Sequence, residues 1–374
     1  MKIVLLVRYF PPTWLSGSEI AAYNVARSLA AKGYEISVVT TRDDGLPPYS
    51  KDNGFSVYRL SNSKSGILGG IIYIFGVIRH LLKIDPDIVQ AQGIWIQNCI
   101  LLLIAKFFLK KFTIAWGQGS DIYVPWIFKK MLFKLVFKYS DIVIALTEDM
   151  LDEMNKFYSR KIHIIPIGVD LDRFKNLSRE QARKDFNIGN EKEIALFVGR
   201  LHPIKGVKYL IEAISLLSDQ SNIKLIIIGD GQERVYLENL VRAYRLEERV
   251  YFLGKLSMEE IPTLMKLSDY FILPSLSEGF PLTIIEAMAS GLPIITTNVR
   301  SLPKIVKDNL NGCIVEPKNP WQIAEKIILL SNNISLKCKI SEINLDTAKK
   351  FSWQAITSEL EDIYSEYPNR PNRY

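Results

Sequence analysis

Two glutamates eight residues apart, Glu278 and Glu286, frame the stretch of this 374-residue chain that is richest in chemistry. Between them, Gly279, Phe280, Pro281 and Leu282 spell a turn followed by a helix start. Glycine permits close backbone approach, and the free N–H groups of a helix beginning near Leu282 favour an anion. Glu286 sits among Ile284, Ile285, Ala287 and Met288, on a helix apolar enough to be buried, and a buried carboxylate needs partners. Two kinds fit: the hydroxyls of a ribose or hexose, which a carboxylate can accept two at a time, or a neighbouring lysine or backbone donor. A second loop, GRLHPIKG at 199–206, places Arg200 and Lys205 between Gly199 and a following helix. Two cations there suit a diphosphate; the alternative is a pair of solvated surface charges. A tight Gly-Asp-Gly turn ending at Gly231 adds a third loop of the same kind.

The elements that must position these loops alternate between short apolar runs and longer helical spacings, the rhythm of a parallel α/β sheet covered on both faces. Strands are predicted over 2–7, 36–40, 55–60, 87–91, 112–116, 142–145 and 161–165. The rhythm restarts with strands over 194–198, 223–228, 250–253, 270–273 and 293–297. Ser257 and Glu260 have capping-box spacing, and Pro281, Gly291 and Pro293 bracket a helix near 282–290. The turn-rich IPIGVDLDRF, 164–174, reads as the hinge. The expectation is two doubly wound Rossmann-like domains facing a central cleft. One spans 1–166 with about 355–374, and the other spans 167–354. Ligands of such sheets bind beyond the carboxyl ends of the strands, where all three loops fall.

Taken together, SGSE at 16–19, GRLHPIKG at 199–206, GDG at 229–231, EGFPLTIIEAMASGLPIITT at 278–297 and FSW at 351–353 resemble retaining glycosyltransferase family 4, of the GT-B fold, with its E-x7-E signature. The resemblance covers nearly the whole chain. It implies a hexosyl transfer from a nucleotide-sugar, by default a UDP-sugar; the acceptor expected is a glycan or, from the charge asymmetry of the first domain, a lipid-linked molecule. Arg200 and Lys205 would hold the donor diphosphate, Glu286 the ribose and Glu278 the donor sugar. The backbone of Gly279, Phe280, Pro281 and Leu282 would approach sugar and phosphate, and Gly17 would leave room for the diphosphate on the first domain. The last helix would cross back to that domain. Two fixed cations and a helix N-terminus can stabilise a leaving diphosphate without a metal, and no other cofactor is expected. The DxD spellings at Asp85–Asp87 and Asp170–Asp172 fall at a strand entry and in the hinge, and both read as structural.

One position departs from the pattern. Where many members carry a histidine in an HGSD-like segment, this chain has WGQGSD with Gln118. A glutamine donates and accepts hydrogen bonds but is no base. The front-face mechanism usually proposed for the family, in which the departing phosphate takes the acceptor proton, needs none. Asp121 has two readings, a group orienting acceptor or sugar and a helix N-cap. Two other functions are alternatives: a nucleotide-sugar epimerase, which shares the two-domain architecture but lacks the Glu-Gly-Phe-Pro arrangement and would release free sugar without an acceptor, and an inactive nucleotide-sugar-binding subunit, which Gln118 could mark.

Composition narrows the rest. The net charge of +7 lies wholly in residues 1–166, with 20 Lys+Arg against 13 Asp+Glu, while 167–374 carry 27 of each. Lys129, Lys130, Lys134 and Lys138 occupy about half of a helical wheel among large apolar residues, which fits either an anionic membrane surface or a core helix with solvated lysines. The basic residues are not interleaved with a nucleic-acid-binding motif, so no nucleic-acid partner is expected. Three scattered cysteines, no signal-peptide core and no apolar run of spanning length suggest a cytoplasmic protein, peripheral to the membrane if the basic helix docks there.

Overall fold

A computed structural model describes the chain except for residues 14–16, 61–65, 120, 124–126, 157, 159–160, 176, 187, 190–191, 219–221 and 368–374; at 66–67 and 127–130 it describes the backbone alone. Ser16 of SGSE, Ser120 of the GQGSD segment, the side chains of Lys129 and Lys130, and the polar tail therefore lie outside the described residues. The chain divides into two units, Met1–Gly168 with Trp353–Tyr374, and Val169–Ser352.

The first unit is built on eight strands: β1 (Lys2–Val7), β2 (Glu35–Thr41), β3 (Tyr49–Asp52), β4 (Phe55–Leu60), β5 (Ile88–Gln92), β6 (Phe112–Trp116), β7 (Ile142–Ala145) and β8 (His163–Ile164). Their order is β3-β4-β2-β1-β5-β6-β7-β8, and only β3 runs antiparallel to its neighbour. Ile3, Val4, Leu5 and Leu6 of β1 are fully buried, as a central strand covered on both faces requires. The chain leaves β1 toward β2 and later returns to β1's other side as β5. The strand order therefore reverses between β1 and β5, the position where open sheets bind ligands. The closing helix, Trp353–Tyr364, packs on the helix Gly17–Ala31 of this unit, and Tyr364 donates to Gln90 Oε1 at 2.8 Å.

The second unit has six parallel strands, β9 (Glu193–Val198), β10 (Ile223–Ile228), β11 (Val250–Gly254), β12 (Tyr270–Leu273), β13 (Ile294–Thr297) and β14 (Cys313–Val315), in the order β11-β10-β9-β12-β13-β14. Its reversal lies between β9 and β12. Two short strands escape the sequence reading: β3, a four-residue exposed edge, and β14, three residues long. Neither offers enough residues for a period to show. The capping-box spacing at Ser257 also resolves differently. Glu260 Oε2 accepts from the Ser257 N–H at 2.8 Å, but across a turn, and the helix itself begins later, at Ile261.

Both DxD spellings are occupied by local structure. Asp85 pairs with Lys111, and Asp87 accepts from the Lys2 N–H at 2.7 Å. Asp170 caps a 3₁₀ helix, Leu171–Phe174, and Asp172 pairs with Lys175 at 2.6 Å.

Candidate functional site

At the reversal point of the second sheet, the chain leaving β9 passes Gly199 and Arg200 and forms a 3₁₀ turn, Pro203–Lys205, opened by His202, whose Nδ1 accepts from the Ile204 N–H at 3.2 Å. Gly206 ends the turn in the left-handed region, at φ +65°, where a Cβ would stand 2.2 Å from the Pro274 carbonyl oxygen. This approach, which only glycine allows, lays the turn against the loop after β12. The Leu276 N–H then donates to Ile204 O at 2.7 Å. Lys205 Nζ thereby reaches Glu278 Oε1 at 2.6 Å, and Ser275 Oγ donates to the same oxygen at 2.6 Å. Glu278 is buried. Thr297 Oγ1 holds the loop's carbonyl at Ser275 at 2.5 Å, and Arg300 Nε donates to Ser277 Oγ at 2.6 Å.

The glycines of the other two loops serve backbone contact. A Cβ on Gly229 would meet Gly199 O at 1.9 Å, and one on Gly231 would meet Leu201 O at 2.3 Å, so the turn after β10 rests directly on the loop after β9. Arg200 is exposed and pairs with no acid among the described residues. It stands on the same loop as Lys205, but the structure does not bring it to Glu278.

The helix after Glu278 runs Leu282–Ala289, with Pro281 at its N-cap position and no side-chain cap. Ile284, Ile285, Ala287 and Met288 are fully buried and carry Glu286 down with them. Burial pushes the Glu286 carboxyl up to about 7, against the pull of Arg173, whose Nη1 stands 3.6 Å from Oε1. At that distance the guanidinium compensates the charge only partly. Arg173 also donates to Met258 O, which fixes its place on the 3₁₀ helix. The hinge reading passed over Arg173: its partner lies in a helix more than a hundred residues away, and local spacing carries no trace of it. Phe280 packs on Phe351, ring centroids 6.4 Å apart, which anchors the glycine-proline turn to the end of the unit.

In the first unit the corresponding reversal point is built differently. Asp121, 1% exposed, accepts from the Ile94 N–H at 2.6 Å and from the Gln118 N–H at 3.0 and 3.1 Å. It caps no helix; it ties the loop after β5 to the loop after β6. Burial raises its pKa while those N–H groups pull it down. Gln118 Nε2 donates to Gln92 Oε1 at 2.8 Å, and Gln118 Oε1 is buried with no partner among the described residues. Both glutamines line a pocket with Arg8, Ser18, Glu19 and Trp95. Gly17 opens the helix Gly17–Ala31, and a Cβ there would meet nothing within 4 Å.

Residues 15–173 match the model of Glycosyltransferase Family 4, and residues 178–344 match that of Glycosyl transferases group 1. The chain is a glycosyltransferase of the GT-B type. An uncharacterized glycosyltransferase of Methanocaldococcus jannaschii is 28% identical over 97% of this chain and 98% of its own length. The N-acetyl-alpha-D-glucosaminyl L-malate synthase of Bacillus anthracis is 26% identical over 97% of each chain. Among solved structures, Anabaena HepE in complex with UDP superposes with a TM-score of 0.81 at 20% identity, covering 98% of this glycosyltransferase and 100% of HepE.

Proposed function

We propose that this glycosyltransferase moves a hexosyl unit, with retention, from a nucleotide-sugar, by default a UDP-sugar, to a glycan or lipid-linked acceptor, and does so without a metal. The observation that carries the reading is Glu286: a carboxylate buried beside one distant cation, on the helix that follows the Lys205–Glu278 pair. A ribose donates two hydroxyls to such a group and supplies the compensation that Arg173 leaves incomplete. Lys205 and the exposed Arg200 take the diphosphate, whose charge grows as the sugar leaves. An ammonium has three donors, so Lys205 can hold a phosphate oxygen while keeping Glu278, which faces the transferred sugar. The departing phosphate takes the acceptor proton, a step that asks no base of Gln118. UDP in HepE supports the choice of nucleotide.

The acceptor side is supported by charge. Three helices of the first unit, Gly66–Ile84, Ile96–Phe107 and Ile127–Tyr139, pack one against the next and contain no Asp or Glu. The first exposes Leu68, Ile71, Ile72, Phe75 and Leu82 at helical spacing beside exposed Arg79 and Lys83, and the third exposes Met131, Lys134, Leu135 and Lys138. An apolar stripe with only basic neighbours suits the surface of an anionic bilayer. Among the described residues no helix is long and apolar enough to cross a membrane.

Thermal shifts against UDP-, GDP- and ADP-sugars test the donor. One of them is expected to raise the melting temperature, and Glu286→Ala or Arg200→Ala to abolish the rise. A rise that survives both substitutions removes the site assignment. Transfer of radiolabelled sugar from that donor into a lipid extract tests the reaction; donor breakdown to free sugar without any acceptor would favour an epimerase.

A further inference from the structure

The reversal-point pocket of the first sheet adjoins a second pocket, lined by Arg8, Tyr73, Trp95 and Gln97 with Gly69 and Gly70. Arg8 follows β1 directly, and its guanidinium stacks on Tyr9 and Trp95 at 5.0 Å from each ring. Stacking orients it without neutralising it, and no acid pairs with Arg8 among the described residues. Trp95 is also the N-cap residue of the twelve-residue helix Ile96–Phe107 and offers no side-chain cap, and Gln97 and Asn98 of that helix's first turn line the same space. Tyr73, 5% exposed, lines that space with a hydroxyl that is buried and lacks a hydrogen-bond partner among the described residues. A Cβ at Gly70 would stand 3.6 Å from Gln97 Nε2, so the glycine keeps room beside that amide. No acid lines the pocket. The neighbouring pocket holds two carboxylates, Glu19 and Asp121, and Asp121 turns both oxygens to backbone N–H groups.

A cation held by rings, an uncapped helix N-terminus and an orphaned buried hydroxyl converge where a small oxyanion would satisfy all three. We propose that this pocket binds a carboxylate or phosphate group of the acceptor, through the Arg8 guanidinium, the Tyr73 hydroxyl and the N–H groups that open the helix Ile96–Phe107. The proposal deepens the glycosyl-transfer reading and rests on it for the ligand being the acceptor. The adjoining pocket, where Gln118 Oε1 lacks a donor, then receives a hydroxyl of the same molecule.

The test is calorimetric titration of the full chain, saturated with UDP, with inorganic phosphate and separately with malonate. The wild type is expected to bind one equivalent, and the stronger of the two probes shows whether the natural group is a phosphate or a carboxylate. Arg8→Gln and Tyr73→Phe should each weaken binding roughly tenfold while leaving the stabilisation by UDP unchanged. Tyr73→Phe separates a ligand role from a structural one. The hydroxyl has no protein partner, so its loss should leave the melting temperature unchanged or raised, and only the titration should suffer. Wild-type affinity in both variants would overturn the proposal, as would no binding by the wild type. Binding that UDP suppresses would hand the site to the donor phosphates and also overturn it. Failure of UDP itself to stabilise the wild type would defeat the choice of UDP alone, and titration without UDP would still report on the pocket.

Discussion

The two sheets reverse their strand order at equivalent places, yet the groups gathered there differ in kind. Beyond β9 and β12 the groups are charged: Lys205 holds Glu278, Ser275 supports the same oxygen, and Arg173 faces Glu286 without fully compensating it. Beyond β1 and β5 stand two glutamines, Glu19, an aspartate spent on backbone N–H groups and an arginine whose guanidinium lies on aromatic rings. One region is preorganised around charge; the other keeps donors and acceptors in reserve. A diphosphate that gains charge in the reaction asks for the first arrangement, whereas an acceptor recognised by its own groups asks for the second. The lesson is that one architecture can hold both, because the sheets fix where ligands arrive and the loops fix what they meet.

Substitutions should separate the two regions, beginning with the most damaging. Lys205→Ala removes a cation from the leaving group and strips Glu278 of its ion pair; transfer should fall by roughly 10²–10³ in kcat. A loss of less than about tenfold in steady-state assays would mean that Lys205 is structural only.

Glu286→Gln should act on stability as well as on binding. The folded-state pKa of about 7 stands above the ordinary 4.5, so the folded chain holds the proton more tightly than the unfolded chain. Stability from this group is present below about pH 4.5 and is lost as pH rises to about 7, beyond which the cost is constant. The glutamine variant without ligand should therefore be more stable than wild type at pH 8, by up to about 3 kcal/mol, and indistinguishable near pH 4.5. Urea denaturation at the two pH values measures this. Equal stability of the two proteins at pH 8 would show that Glu286 is already compensated without ligand.

The smallest effect belongs to the first unit. Lys134→Gln with Lys138→Gln should weaken flotation with anionic liposomes by about 1 kcal/mol per lysine and leave donor binding intact. Unchanged flotation would detach the acid-free helices from the membrane reading.

Much of the second region was legible beforehand. β10 and β12 fall where their apolar runs end, and Gly291, at φ +75°, stops the Leu282–Ala289 helix where the Gly-Leu-Pro spelling places the stop. The pairing of charges was not legible. Lys205 finds Glu278 only because Gly206 tolerates a carbonyl where a Cβ would be, and Arg173 finds Glu286 across more than a hundred residues, both constraints set by chain packing. Gln118 was visible as a departure, but its bond to Gln92 joins two strands' ends and follows from the sheet. Arg8 and Tyr73 carried no spacing signal at all, since only the fold brings the residue after β1 and the helix Gly66–Ile84 to one pocket.

The central claim is that Glu286 receives the nucleotide as a carboxylate, and proton release on binding tests it most directly. Calorimetry with the best-stabilising nucleotide-sugar at pH 7, repeated in two buffers of different ionisation enthalpy, should show release of about half a proton by the wild type and none by Glu286→Gln. Equal proton release by the two proteins would contradict the account.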